Sequence, residues 1–180
     1  NALPKMLVSK SCVRAADVNG DGKLDLFVGG RVVPGRYPEI PRSYLLINDG
    51  KGQFKDQTSS LAPTLANIGL VSDAVWHDLN GDKKVELILV GEFMPITVWG
   101  QKSGKWADVT SDYFGKKYAG CWNKLLLEDL TGDGKMDLLV GNLGQNSQLK
   151  ASEKEPAELY FKDFDDNGAV DPILCFFKQG

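Results

Sequence analysis

The amino-acid sequence predicts an all-β fold built from repeated four-stranded units. Three observations lead to it: four Asp-rich loops recur in one register, short apolar segments follow each loop, and the first two loops each open a stretch that divides into four strands. Repeats of roughly fifty residues with four strands each are typical of propeller blades. The sequence therefore predicts a partial β-propeller of about three four-stranded blades, with the Asp-rich loops in the hairpins.

The approximate blades are residues 11–58, 71–110 and 120–180. The strands predicted in them are 11–16, 24–28, 43–47 and 53–57; 72–77, 85–90, 96–99 and 105–109; and 121–128, 136–140 and 173–174. The first three loops start 61 and then 51 residues apart, whereas the fourth starts 34 residues after the third. The fourth loop therefore either joins the last two strands of the third unit or opens a further unit.

Each loop carries oxygen-bearing side chains at positions 1, 3, 5 and 9. Side chains at alternate positions of a tight loop converge on one point, and glycine permits the left-handed turns between them. Hard oxygen ligands around one point describe a Ca²⁺ site, to which the backbone carbonyl of position 7 usually contributes. The predicted ligands are Asp17, Asn19, Asp21, Lys23 and Asp25 in loop one; Asp78, Asn80, Asp82, Lys84 and Glu86 in loop two; Asp129, Thr131, Asp133, Lys135 and Asp137 in loop three; and Asp163, Asp165, Asn167, Ala169 and Asp171 in loop four.

These loops have two other interpretations. Asp, Asn and Gly also form polar hairpin turns, but a plain turn gives no reason to repeat acids in one fixed register. An EF-hand requires Glu at position 12 and flanking helices, whereas position 12 here is apolar and strand-like segments follow. We expect loop two to be the weakest site, because Lys83 replaces a glycine at position 6 and Glu86 is longer than Asp.

Composition limits the possible partners. The formal net charge is −3, and the four loops hold 13 of the 24 acidic residues. The Lys and Arg residues are dispersed, which argues against nucleic acid. No apolar run reaches the roughly 18–20 residues of a membrane span. Cys12, Cys121 and Cys175 are interpreted as free buried thiols, with one disulfide and one leftover thiol as the alternative.

The sequence contains no recognisable catalytic constellation, and we predict that the chain is not an enzyme. His77 is the only histidine and is interpreted as a half-exposed strand residue. The paired carboxylates are assigned to Ca²⁺, which makes them poor candidates for glycosidase chemistry. The four tryptophans are interpreted as packing residues rather than a sugar platform: Trp76, Trp99, Trp106 and Trp122.

The pattern Asp-x-Asn-Gly-Asp-Gly-x-x-Asp, followed by an apolar strand and Val-Gly-Gly, resembles the FG-GAP/VCBS repeats of integrin α-chain-type β-propellers. Residues 11–57 look like bacterial, cartilage acidic protein-like members. The resemblance implies Ca²⁺ as cofactor, an extracytoplasmic location (secreted, periplasmic or outer-membrane-associated), and a noncatalytic role in cell-surface adhesion or in binding a protein or glycan. The alternative function is an accessory propeller domain of a secreted carbohydrate-active enzyme. We also expect a fragment of a longer propeller, with self-association through open blade edges.

Hairpin topology predicts which loops share an end of the blades. Consecutive hairpins alternate ends, so all four Asp-rich loops are expected at one end. The connections 30–42 and 142–156 are expected at the other, where they are either plain connectors or a recognition surface. The candidate contact residues there are Arg31, Arg36, Tyr37, Arg42, Asn142, Gln145, Asn146 and Gln148.

Overall fold

The computed structural model describes residues 2–144 and 147–177, so Gln145 and Asn146 lie outside the described residues. Its first unit is a four-stranded antiparallel sheet in sequential order. The strands are β1 (Ser9–Ala16), β2 (Asp25–Val32), β3 (Tyr44–Asn48) and β4 (Phe54–Asp56). Loop one joins β1 to β2, as the sequence predicts.

The second unit repeats this sheet. Its strands are β5 (Leu70–His77), β6 (Glu86–Glu92), β8 (Thr97–Lys102) and β9 (Lys105–Asp108), in the order β5-β6-β8-β9. A two-residue strand, β7 (Met94–Pro95), leaves the sheet to pair with β10 (Ala119–Gly120). The sequence did not predict β7, β10 or the short helical segments that follow each sheet: α1 (Thr58–Leu61), a 3-10 turn (Pro63–Asn67) and α2 (Thr110–Tyr113).

A repeated Asp-x-Thr sequence ends both sheets in the same way. The Asp56 carboxylate accepts the N–H of Thr58 at 2.9 Å, and the Thr58 hydroxyl accepts the N–H of Leu45 on β3 at 2.8 Å. In the second unit, Thr110 likewise donates its N–H to Asp108 and accepts the N–H of Val98, both at 2.9 Å. The threonine thus ties the start of each helix back to the third strand of its sheet.

The third unit differs from the first two. It consists of two separate hairpins, β11 (Trp122–Glu128) with β12 (Asp137–Asn142), and β13 (Glu158–Lys162) with β14 (Asp171–Cys175). Within the described part of the chain, neither hairpin is paired strand to strand with another sheet, although the Ser72 hydroxyl of β5 donates to the carbonyl of Trp122 on β11 at 2.7 Å. Loop four therefore joins the two strands of its own hairpin, as the other three loops do, rather than completing a four-stranded third blade. The partial propeller is confirmed as two full sheets and two hairpins.

Successive residues of the second strands are buried on opposite faces. On β2, Phe27 packs between the first and second units, while Val28 packs on the far side of the first. On β6, Leu87 and Leu89 face the first unit, and Ile88 faces the β11–β12 hairpin. Side chains alternate across a strand, so a sheet buried on both faces reads as a continuous apolar run. This is the packing of blades stacked side by side.

The first strands β1, β5 and β11 lie next to one another, and Asp73 on β5 links all three. Its side chain is nearly fully buried and pairs with Arg14 of β1 through one carboxylate oxygen. The other oxygen lies 3.4 Å from Nζ of Lys124 on β11. The Asp73 carboxylate also accepts the N–H of Ala74 at 2.9 Å. One buried acid therefore holds three neighbouring units together.

We predict that Asp73→Asn lowers the free energy of unfolding by about 1–3 kcal/mol, because a charged acceptor between two cations becomes a neutral amide. Chemical denaturation would measure this. Asp112→Asn is the matched control: its pair with Lys102 is exposed and 3.9 Å long, so its loss should leave stability unchanged. Equal effects of the two substitutions would contradict the assigned role of Asp73.

Candidate metal-binding loops

The carboxylate at position 1 organises each loop through backbone N–H groups. In loop one, Asp17 accepts the N–H of Gly20 at 2.8 Å through one oxygen and that of Gly22 at 2.7 Å through the other. The equivalent residues Asp78 and Asp129 accept the N–H groups of their own positions 4, 5 and 6. Asp163 accepts those of positions 5 and 6. The loop backbone therefore wraps around this one side chain.

Positions 5 and 9 repeat in the same way. The side chain at position 5 accepts the N–H of position 7 at 2.7–3.0 Å in all four loops. The carboxylate at position 9 accepts the N–H of position 2 at 2.8–3.2 Å, which closes the base of the hairpin. An ionised carboxylate has about four acceptor sites, so these bonds leave lone pairs for a further ligand.

Position 3 is less uniform. Asn19 and Asn80 each accept the N–H of position 5 through the amide oxygen, at 3.0 and 2.8 Å. Asp165 accepts the N–H of Asn167 at 3.3 Å. Thr131 offers a hydroxyl in place of a carbonyl or carboxylate oxygen. Loop three therefore has the weakest oxygen donor at this position.

Loop four brings its acids closest together. Asp163, Asp165 and Asp171 each place one carboxylate oxygen within 4.8 Å of the others, the only such group of three among the described residues. Ca²⁺ binds oxygen at about 2.3–2.6 Å, so two ligands of one ion lie at most about 5 Å apart. These separations are compatible with one ion shared by the three side chains of loop four.

The comparison with known families agrees with this repeat. The sequence model of the FG-GAP-like repeat matches the chain twice, over residues 17–89 and 78–140. The chain belongs to the FG-GAP-like repeat family. Each match begins at position 1 of one loop and ends at position 12 of the next, so the repeat boundary falls on the loop itself. No curated protein was found to match the chain.

FG-GAP-like repeats form β-propeller-like modules that are typically noncatalytic and typical of extracellular proteins. None of the described helices has the length and apolar character needed to cross a membrane. The resemblance found in the sequence, and the all-β partial propeller it implies, are thereby confirmed.

Burial distinguishes the acids at positions 1 and 9 in loops one and two. Asp25 is fully buried, and its second oxygen accepts the N–H of Asn48 from β3 at 2.8 Å. Burial raises the pKa of Asp25 and that of Glu86, its equivalent in loop two. At position 1, by contrast, the N–H of Gly22 lowers the pKa of Asp17. Position 9 thus anchors the loop in the sheet, while position 1 remains a readily ionised group near the surface.

Loop four lies at a different end from the one predicted. Arg36, in the connection between β2 and β3, donates from Nη1 to the carbonyl of Gly168 at 3.1 Å. That connection leaves the first blade at the end opposite loop one, because β2 runs away from loop one. The prediction that all four loops share one end is therefore wrong for loop four. The separate β13–β14 hairpin is not bound to the orientation of the other sheets.

The arginines proposed as contact residues are engaged within the chain. Arg31 pairs with Glu92, Arg36 with Glu39, and Arg42 with Asp56. Arg42 also lies over the ring of Tyr44, 5.3 Å from its centroid. These side chains hold the connection between β2 and β3 in place. The remaining candidate with an exposed side chain on that connection is Tyr37.

The tryptophans, the cysteines and His77 differ in burial. Trp99 and Trp106 are buried in the core, and Trp76 meets Trp106 edge-on at 5.5 Å, as expected of packing residues. The three cysteines are free, but only Cys12 is buried; Cys175 is exposed on β14, whose hairpin pairs with no other sheet among the described residues. His77 is half-buried at the end of β5, as predicted.

Lys83 adopts the left-handed backbone that its position requires, with φ of +68°, where loops one, three and four have glycine at φ between +79° and +86°. We predict that Lys83→Gly stabilises the fold by about 1 kcal/mol, because a residue with a Cβ is strained there. Lys84→Gly is the control, since residue 84 is not at positive φ and glycine only adds freedom to the unfolded chain. The melting temperature should rise in Lys83→Gly and fall in Lys84→Gly. A fall in both variants would contradict backbone strain at Lys83.

Proposed function

We propose that this FG-GAP-like module binds Ca²⁺ in its four loops and acts as a noncatalytic binding module outside the cytoplasm. The observation that carries the proposal is the common hydrogen-bond scaffold, which holds the side chains of positions 1, 5 and 9 in the same roles four times. Such a scaffold fixes the carboxylates before any ion arrives, and preorganised ligands bind with a smaller entropic penalty.

The chemistry of the donors supports Ca²⁺ over other metals. Every proposed ligand atom is an oxygen, and each loop supplies three carboxylates at its ligand positions. Zinc and copper favour nitrogen and sulfur donors, which these loops lack. Mg²⁺ requires a near-ideal octahedron, whereas Ca²⁺ accepts six to eight oxygens in a flexible arrangement.

A bound ion would add to the structure already in place. In loop one, Gln101 of β8 donates to the carbonyl of Val18 at 2.7 Å, so the loop also contacts the second blade. An ion held there would stabilise both the hairpin and this contact between blades. A propeller stabilised in this way presents rigid connections at its other end, which suits a role in adhesion or ligand binding at a cell surface.

We expect Ca²⁺ to raise the melting temperature. Extracellular Ca²⁺ modules bind with Kd of about 10⁻⁴–10⁻³ M, so 1 mM Ca²⁺ should add roughly 0.4–1.5 kcal/mol per site. Thermal melting in EDTA and in 1 mM CaCl₂, with 1 mM MgCl₂ as the comparison, would measure this. Identical melting temperatures in EDTA and Ca²⁺ would rule the proposal out.

Loop four offers a matched pair of substitutions for counting sites. Asp171→Asn places an amide at a ligand position and should reduce the calorimetric stoichiometry from four ions to three. Asp166→Asn makes the same chemical change at position 4, which is not a ligand position and where φ is +57°, a conformation that Asn tolerates. It should retain four. A stoichiometry that falls in neither variant would remove loop four from the metal sites.

We further propose that open sheets lead to self-association with a second copy. Leu126 of β11 and Leu139 of β12 face each other across the hairpin, and both are about half exposed. Their counterparts in the second unit, Val75 and Ile88, pack against the β11–β12 hairpin, Ile88 fully and Val75 partly buried. Unpaired strand edges and exposed apolar faces favour association.

Light scattering should show a mass that rises with concentration. The double change Leu126→Lys and Leu139→Lys should reduce this concentration-dependent rise in mass, because two charges would be buried at the contact. Val13→Lys on β1 provides a control at another exposed apolar position. A monomer at all concentrations would contradict self-association.

A further inference from the structure

A cleft of about 250 Å³ opens where all three units meet. It receives residues from the β2–β3 connection, the turn after β6, the start of β11 and the segment after β12. Its lining is Tyr37, Glu92, Phe93, Cys121, Asn123, Leu143 and Leu149. The β2–β3 connection and the β6–β7 turn place it at the end of the sheets opposite loops one and two.

Phe93 has the most unusual backbone conformation among the cleft residues. Its backbone φ is +51°, which is unfavourable for a bulky residue, and its side chain is 38% exposed. Within the described residues its ring joins none of the hydrophobic clusters or aromatic pairs. Strain of this kind that core packing does not offset is a reason to look for function.

Glu92 is held in a fixed position beside Phe93. Arg31 pairs with one of its oxygens, and the hydroxyl of Tyr37 donates to the other at 3.2 Å. The guanidinium balances the carboxylate, so the cleft offers hydrogen-bonding groups without a net charge. This arrangement favours a neutral polar ligand over an ion.

Asn123 adds a group that is ready to bind. Asn123 lines the cleft and is exposed there. A planar amide can donate and accept at once, which suits a hydroxyl group that does the same. Tyr37 and Phe93 supply two exposed aromatic rings next to these polar groups.

We propose that this cleft binds one ring of a neutral saccharide. A sugar ring has apolar C–H faces that pack on aromatic rings, and hydroxyls that pair with carboxylate, amide and phenol groups. Ligand pockets for drug-sized molecules start at about 300 Å³, so a cleft slightly smaller than this suits a single ring. The proposal rests on the binding role proposed for the module, but it requires no metal.

The test uses the whole chain and the methyl glycosides of glucose, galactose, mannose and N-acetylglucosamine at millimolar concentration. Saturation-transfer NMR should show contact with at least one of them. Phe93→Gly should weaken that binding about tenfold, as expected for loss of an aromatic contact. Glycine accepts φ of +51° without strain, so this variant should fold at least as well as the parent.

Tyr160→Ala is the matched control, because Tyr160 is an exposed ring on β13 that does not line the cleft. It should bind the glycoside as the parent does. Saturation transfer from none of the four glycosides, or equal binding by the parent and Phe93→Gly, would overturn the proposal. The measurement is made with Ca²⁺ present, so absence of a Ca²⁺-dependent melting shift would leave the result for the cleft unaffected.

Discussion

The structure depends on hairpins that are apolar on both faces. Such a hairpin is stable only between two other layers, because each face needs its own cover. In β6, Leu87 and Ile88 point in opposite directions and both are buried, one against the first unit and one against the third. Stacking of units is therefore a requirement of the sequence, and the exposed Leu139 of β12 marks the place where the requirement is unmet.

The loops close each hairpin with hydrogen bonds instead of an apolar core. Asp17 and its equivalents gather the backbone N–H groups of their own loops, and Asp25 and its equivalents tie each loop to its base. These bonds are local, so every hairpin can form its turn independently of its neighbours. Contacts such as Gln101 to Val18 join one unit to the next.

Local patterns explain why the first two units were predictable. The loop register and the apolar strands are both short-range patterns, and they placed those strands to within a few residues. The β13–β14 hairpin was harder to predict from the sequence, because β13 is exposed and mixes charged with aromatic residues. The contact of Arg36 with Gly168 joins residues 132 positions apart, and no local pattern encodes it. The positive φ of Phe93 could not be predicted either, because phenylalanine is not typical of turns with positive φ.

The two ends of the first two sheets differ in the charge balance of their side chains. At one end, the loop acids are organised by backbone N–H groups but lack cations to balance them, apart from contacts such as Lys23 with Asp21. At the other, Arg31 and Glu92 neutralise each other, and exposed aromatic rings remain beside them. Loops one and two suit an ion at their end, and the cleft beside Phe93 suits an uncharged ligand at the other. In the first two blades the length of a strand separates these sites, so ions can fix one end while the cleft stays open to a partner; loop four, which meets Arg36, lies nearer the cleft end.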